Sequence, residues 1–271
     1  MKIITSVVNN PTFIEIQYHT FKKYFKGEYE FIVFNDAKQF PDFTNGHDVS
    51  MKKQIQDTCN ELKITCINIR NDHHATLDMS NRHADTFNEH ILRYQRANPD
   101  KYLLIDSDMF LVDHFDANKY SEHDSAIVLQ TRNNEGYLWP GLCYFDMTKM
   151  KHFELINWSP CPGFDTGFDT GGRTKDWLKL QLKHTPADIY FIKHLASGSW
   201  NVNELPHNLK SNEKLIDFLK NDVRNANNPN GAFFCEIYDD VFLHYRAGGN
   251  WRKEGMELHN KMSQLLKRCL L

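Results

Sequence analysis

No stretch of the chain approaches the ~20 consecutive apolar residues that a bilayer-spanning helix needs, so no transmembrane segment is expected. Paired cysteines are missing too. The six cysteines, at 59, 66, 143, 161, 235 and 269, form no CxxC pair, which excludes a zinc-ribbon framework and a disulfide scaffold and suits the reduced thiols of a cytoplasmic protein. An Asn- and Lys-rich composition fits an AT-rich genome, and the cytoplasm would be a host's if that genome is viral. Charge of one sign is not in excess: the formal net charge is -3, so no polyanion-binding surface and no nucleic-acid partner are expected. The first residues, Met1–Val8, offer no cleavage site and read as a strand, not as a signal peptide. A glycosylation-type triplet, Asn157-Trp158-Ser159, runs straight into Pro160 and carries little weight.

What is present is an ordinary globular balance, 41% hydrophobic and 25% charged, enough to build a sizeable core. The N-terminal third alternates strand and helix patterns. Lys2–Val8 is a β-branched run broken by Asn9-Asn10-Pro11, and Phe13 to Phe25 carries apolar residues at helical spacing. Glu30–Phe34 is a second strand, closed by Asn35-Asp36. A helix over Val49–Leu62 leads to a third strand, Ile64–Ile69. Strands separated by helices of this length predict a parallel sheet built from βαβ units. A further helix over Ser80–Ala97 precedes the strand Lys101–Ile105. Later segments read as strands at Ser125–Gln130, Gly141–Phe145 and Val241–His244, and as helices at Thr174–Leu182 and Lys253–Leu266. No linker forces a second domain.

Asp106-Ser107-Asp108 stands at the C-terminal end of the apolar strand Lys101–Ile105, which is where open α/β sheets bind ligands. Two carboxylates there repel each other and need a cation, a proton or basic partners. Mg2+ and Mn2+ take oxygen ligands and share them with substrate phosphates. The bland alternative is a solvated acidic turn, since Asp-x-Asp alone is common.

The segment Tyr102-Leu103-Leu104-Ile105-Asp106-Ser107-Asp108-Met109-Phe110-Leu111-Val112 resembles the DXD strand–turn–strand of GT-A glycosyltransferases. Downstream, His244-Tyr245-Arg246-Ala247-Gly248-Gly249-Asn250-Trp251 is similar to their late His-containing segment. The likeness implies a mixed central α/β sheet with a Rossmann-like first half, the GT-A fold, spanning 1–271 as one domain. Residues 1–112 would bind the nucleotide-sugar, and 113–271 would form the acceptor-binding half with a C-terminal metal and diphosphate segment. It implies Mn2+ or Mg2+ held by Asp106, Asp108 and His244. Contacts to a nucleotide-sugar donor, UDP-sugar favoured, would come from Val8, Asn9, Asn35, Asp36, Arg82, Asn88, Asp106, Ser107, Arg246, Gly248 and Gly249. The acceptor would be a hydroxyl of a glycan or other molecule.

Several of these residues also have a reading of their own. His244 closes a strand and is a plausible third ligand, though a lone His in such a place is more often structural. Arg246 can meet a diphosphate oxygen, and Gly248-Gly249 removes side-chain bulk. The segment Phe164 to Gly172 repeats Phe-Asp-Thr-Gly before a helix. Asp169, with Asp165 in reserve, is the carboxylate chosen to accept the acceptor's proton in an inverting transfer. In a retaining transfer it would orient the acceptor, and as a structural residue it would cap the helix. Trp139, in a Trp-Pro-Gly turn, and Gly171 are the acceptor-side candidates; Trp200 and Trp251 are weaker ones.

Three rivals remain. A haloacid-dehalogenase-like phosphatase also uses Asp-x-Asp after a strand, but near the chain start and with Thr or Val where Phe110 stands. A sugar nucleotidyltransferase would carry a Gly-rich, Arg-containing loop where this chain has Val8-Asn9-Asn10-Pro11. A non-catalytic module on the same scaffold would have no reason to keep both acids and His244.

Overall fold

The computed structural model describes residues 1–37, 49–70, 79–161, 169–184, 188–248 and 255–271. The chain opens with Lys2–Val7 (β1), Pro11–Tyr24 (α1), Phe25–Lys26 (β2), Glu30–Asn35 (β3), Val49–Leu62 (α2) and Thr65–Asn68 (β4). One continuous helical run follows: Met79–Asp85 (α3), a π-helical stretch Thr86–Ile91, and Leu92–Ala97 (α4). Then come Lys101–Ile105 (β5), Met109–Leu111 (β6), Phe115–Asp116 (β7), Asn118–Ser121 (α5), Ser125–Arg132 (β8) and Glu135–Asp146 (β9). The last elements are Thr174–His184 (α6), Ile189–Phe191 (β10), His194–Leu195 (β11), Glu213–Lys220 (α7), Glu236–Tyr238 (β12), Phe242–His244 (β13) and Met256–Leu270 (α8).

The central sheet has seven strands in the order β10-β8-β9-β5-β1-β3-β4. β9 runs antiparallel to both of its neighbours, and the remaining pairings are parallel. The expected mixed α/β sheet flanked by helices is therefore observed. Its central strands are apolar on both faces, as a covered parallel sheet requires. Along β1 and β5, Ile3, Val7, Leu103 and Ile105 pack into one core, while Ile4, Tyr102 and Leu104 pack into another. The strict two-residue period sends alternate side chains to opposite faces.

A second sheet, β11-β12-β13-β6, lies beside the carboxyl end of β5. β13 is expected from its apolar run and β6 from the strand–turn–strand resemblance over 102–112, but β11 and β12 are not expected. β12 has three residues and β11 two, too few to show a period. A third core, including Phe13, Phe110, Leu243, Tyr245 and Leu266, joins α1 and α8 to this sheet.

Trp139-Pro140-Gly141, expected as a turn before a strand, lies inside β9, which runs unbroken from Glu135 to Asp146. Ile127 pairs with Cys143 but the next residue, Val128, pairs with Trp139. Residues 140–142 are thus extra on the β9 side and form a bulge, which bends a strand and re-aims its side chains. The bulge carbonyl of Gly141 accepts the Asp106 N–H at 2.8 Å, fastening β9 to the end of β5.

Candidate metal and diphosphate site

The turn after β5 is fixed before its side chains are considered. Met109 N–H donates back to Asp106 O at 3.2 Å. The buried amide of Gln17, from α1, donates to the carbonyl oxygens of Asp106 and Met109 at 2.8 and 3.1 Å. β6 then pairs antiparallel with β13, placing His244 opposite Met109, and Tyr245 N–H donates to Asp108 O at 2.9 Å. This register brings a histidine from near the chain's end onto two acids from its middle.

His244 Nε2 lies 3.2 Å from Asp108 Oδ1 and 3.9 Å from Asp106 Oδ2. One ligand atom from each of the three residues lies within 4.8 Å of the others. Two carboxylate oxygens and an imidazole nitrogen at this spacing fit a divalent cation. The other ring nitrogen, Nδ1, is 2.8 Å from Glu236 Oε2, the arrangement by which a carboxylate orients a metal-binding imidazole. Glu236 is itself held by Tyr238 OH at 2.8 Å and Ser197 N–H at 3.1 Å. Gly248 N–H donates to Asp108 Oδ2 at 2.6 Å, leaving Oδ1 turned toward His244.

The electrostatics show a cluster short of positive charge. Withdrawal from water, and then the Asp108 charge, push Asp106 above the ordinary carboxylate range. Burial would raise Asp108 too, but the His244 charge and hydrogen bond and the Gly248 N–H hold it low. Burial works against charge on His244, yet Asp108 and Glu236 outweigh it and push the imidazole up to about 10. With no cation bound, one proton on His244 does part of a metal ion's work.

A cleft of about 240 Å³ opens beside Asp106, lined by Ser80, His83, Trp139, Asp169 and Thr170. The bulge delivers Trp139 here. Its indole stacks on the Tyr238 ring at 5.0 Å and tilts over His244 at 5.1 Å. Asp169 does not cap α6: its carboxylate pairs with Arg132 Nη2 at 2.6 Å and receives Ser80 Oγ at 3.5 Å. Gly171 has a backbone role. At φ +99° its N–H reaches Trp158 O at 2.6 Å, and a Cβ there would stand 2.2 Å from Leu138 O.

Other expected contacts fall as follows. Val8 and Asn9 follow β1 directly, with Asn9 buried, and Asp36 follows β3. Asp36 is fully buried and accepts Thr86 Oγ at 2.8 Å, one turn along from the buried Arg82. Asn35 spends its amide within the fold, on Lys52 O and Asn68 Oδ1, both at 2.8 Å. Asn88 likewise fixes the 157–159 loop, donating to Ser159 Oγ at 3.1 Å and accepting Trp158 N–H at 2.9 Å. Ser107 is buried in the turn, and Arg246 is exposed with its guanidinium on Ser197 Oγ at 3.1 Å. Trp200 is core, donating to Cys235 O at 2.9 Å. Asp165, Gly249 and Trp251 lie outside the described residues. Sequence reasoning missed Glu236. The signal for Glu236 was the hairpin itself, in which left-handed Asp239 and Asp240 turn the chain and set Glu236 opposite His244.

No protein-family model matches the chain, and no curated protein matches it. Among 150 matching chains of solved structures, one is an active-site mutant of LgtC. It covers 74% of this chain and 74% of its own, with 13% sequence identity and a TM-score of 0.40. Among the described residues, no helix is long and apolar enough to cross a membrane.

Proposed function

We propose that the protein is a metal-dependent glycosyltransferase of the GT-A type, moving a sugar from a nucleoside diphosphate donor to a hydroxyl of a glycan or other acceptor. The observation that carries this reading is the convergence of Asp106, Asp108 and His244 at the carboxyl end of a central strand, within 4.8 Å of one another. They would hold Mn2+ or Mg2+. When bound, the cation would neutralise the negative charge of the departing diphosphate.

The chain's own residues supply the rest. Glu236 keeps His244 Nε2 turned inward, and Gly248 N–H fixes the Asp108 carboxylate. The ends of β1 and β3, with Val8, Asn9 and Asp36, form the nucleoside side, UDP favoured. Arg82, Ser107, Arg246 and Gly249 belong to the diphosphate side. Asn35 and Asn88 hold these walls from behind. Trp139, half-buried over the cation site, offers its face to a pyranose ring. Asp169, across the cleft, meets the acceptor hydroxyl and takes its proton or orients it. Residues 1–271 act as one domain, in which 1–112 grip the nucleotide-sugar and 113–271 supply the acceptor side and the C-terminal metal and diphosphate segment.

The test is thermal unfolding against a nucleotide panel, with Mn2+ and with chelator. A ligand at about a hundred times its dissociation constant stabilises the fold by roughly 2.7 kcal/mol. One nucleoside diphosphate shifting the midpoint only with Mn2+ supports the reading and names the base. No shift from any nucleotide would sink it, and phosphatase substrates would form the next panel.

A further inference from the structure

The turn that delivers Gly248 N–H to Asp108 has an unfavourable backbone. Arg246 and Ala247 both sit in the left-handed region, at φ +56° and +57°, where Cβ crowds the following carbonyl oxygen. Their own side chains do not offset this: Ala247 has no polar group, and Arg246 reaches away to Ser197.

The compensation comes from Arg224. Its Nη1 donates to the carbonyl oxygens of Tyr245 and Arg246, at 2.7 and 2.8 Å. The guanidinium carbon lies 3.6 Å from the centroid of the Tyr245 ring. Asp222 takes Nε on Oδ1 at 2.8 Å and Nη2 on Oδ2 at 2.5 Å, and Nη2 also donates to Cys235 Sγ at 3.4 Å. The two side chains are 9% and 1% exposed. An ion pair this deep is a poor source of stability, because desolvating both charges offsets most of their attraction. What the fork supplies is direction: Asp222 fixes the guanidinium plane, and the plane fixes two carbonyl groups at once.

We propose that Arg224, locked by Asp222, is a positioning residue for the Asp106–Asp108–His244 site. It holds the left-handed turn at 246–247 so that Gly248 N–H ties down Asp108 Oδ2 and Oδ1 stays turned inward. This rests on the reading of that cluster as a cation site. The pair touches neither cation nor substrate and acts through the backbone of the turn.

Arg224→Lys tests the inference, because a single ammonium keeps the charge but cannot hold Asp222 and both carbonyls in one plane. The double variant Asp222→Asn/Arg224→Gln, neutral and still able to hydrogen-bond, serves if the lysine variant does not fold. Mn2+ affinity is measured by calorimetry on protein shown to be folded by near-UV circular dichroism. The expected result is a dissociation constant raised at least ~10-fold, the usual effect of losing an outer-shell partner. A pair that served only stability would lower the melting temperature and leave that constant alone. A folded variant with wild-type Mn2+ affinity overturns the positioning role while the cation site stands. A wild-type protein that binds no Mn2+ overturns both.

Discussion

Glu236 Oε2 and His244 Nδ1 lie 2.8 Å apart, facing each other across the antiparallel pair β12–β13. Neither could be placed this way alone. The hairpin fixes the register, β6 carries His244 to Asp108, and Glu236 settles which ring nitrogen points inward. Replacing Glu236 by Gln keeps the shape but removes the charge that favours a proton on Nδ1 and a lone pair on Nε2. The expected result is Mn2+ affinity lower by about 10–100-fold with near-native folding. Calorimetric titration of the Glu236→Gln protein checks it, and unchanged affinity would remove Glu236 from the site.

Gly248 has a steric reason to be glycine. A Cβ there would stand 2.6 Å from both Phe13 Cε2 and Tyr245 Cδ1 and 3.0 Å from Asp108 Cβ. Phe13 and Tyr245 are fully buried and locked edge to face, so neither can withdraw. Gly248→Ala should therefore destabilise the protein by about 1–3 kcal/mol through overpacking. At ~2–4 °C per kcal/mol for a chain near this size, the loss is readable in a melting scan. A wild-type midpoint would mean that the turn relaxes freely.

The parts of this arrangement that were legible in the sequence are those carried by one continuous segment. The run Tyr102–Ile105 followed by Asp106-Ser107-Asp108 showed both its strand and its acidic turn, because a covered strand is apolar throughout and its end is where polarity returns. The helix Val49–Leu62 emerged with its expected bounds. What depended on pairing was hidden. Pro140 and Gly141 are turn formers, so the sequence alone starts β9 at Gly141, and only the partner strand shows that they form a bulge. Asn35 and Asn88 looked like ligand contacts, since polar residues at strand ends and on a helix near the site invite that reading. Their partners, Asn68 and the 157–159 loop, are remote in sequence. Arg224 and Asp222 gave no signal at all, being two charged residues in a polar stretch.

Glu236 and His244 set a pH dependence in the cation-free protein. Burial would raise Glu236, but the His244 hydrogen bond and charge hold it at about 2, against an ordinary 4.5. His244 is pushed up to about 10 from 6.5. A depressed carboxylate contributes fully above its ordinary value and loses that contribution as pH falls from 4.5 toward 2. A raised imidazole contributes fully below its ordinary value and loses that contribution as pH rises from 6.5 toward 10. With chelator present, the joint contribution should be largest between pH 4.5 and 6.5 and decline on either side. Denaturant unfolding across that range checks this, with His244→Asn as the reference in which both limbs flatten. Because the cation takes the neutral ring, Mn2+ affinity should climb with pH by about tenfold per unit below the imidazole pKa.

Asp108 and Asp169 stand on opposite sides of the proposed chemistry, so their variants should fail differently. Asp108→Ala removes a ligand and should abolish the Mn2+-dependent shift in melting temperature given by the nucleotide. Asp169→Asn is isosteric and loses only an exposed pair with Arg132, whose partners are 40% and 51% exposed, so stability should change by less than about 1 kcal/mol. Nucleotide binding should survive in Asp169→Asn while sugar transfer falls by about 100-fold or more, the usual contribution of a positioned acid or base. A rate loss that vanishes at saturating acceptor would instead mark Asp169 as an orienting group, since such a loss lies in binding and not in the chemical step. Transfer at the wild-type rate would pass the role to Asp165, because the two copies of Phe-Asp-Thr-Gly offer the same carboxylate four residues apart.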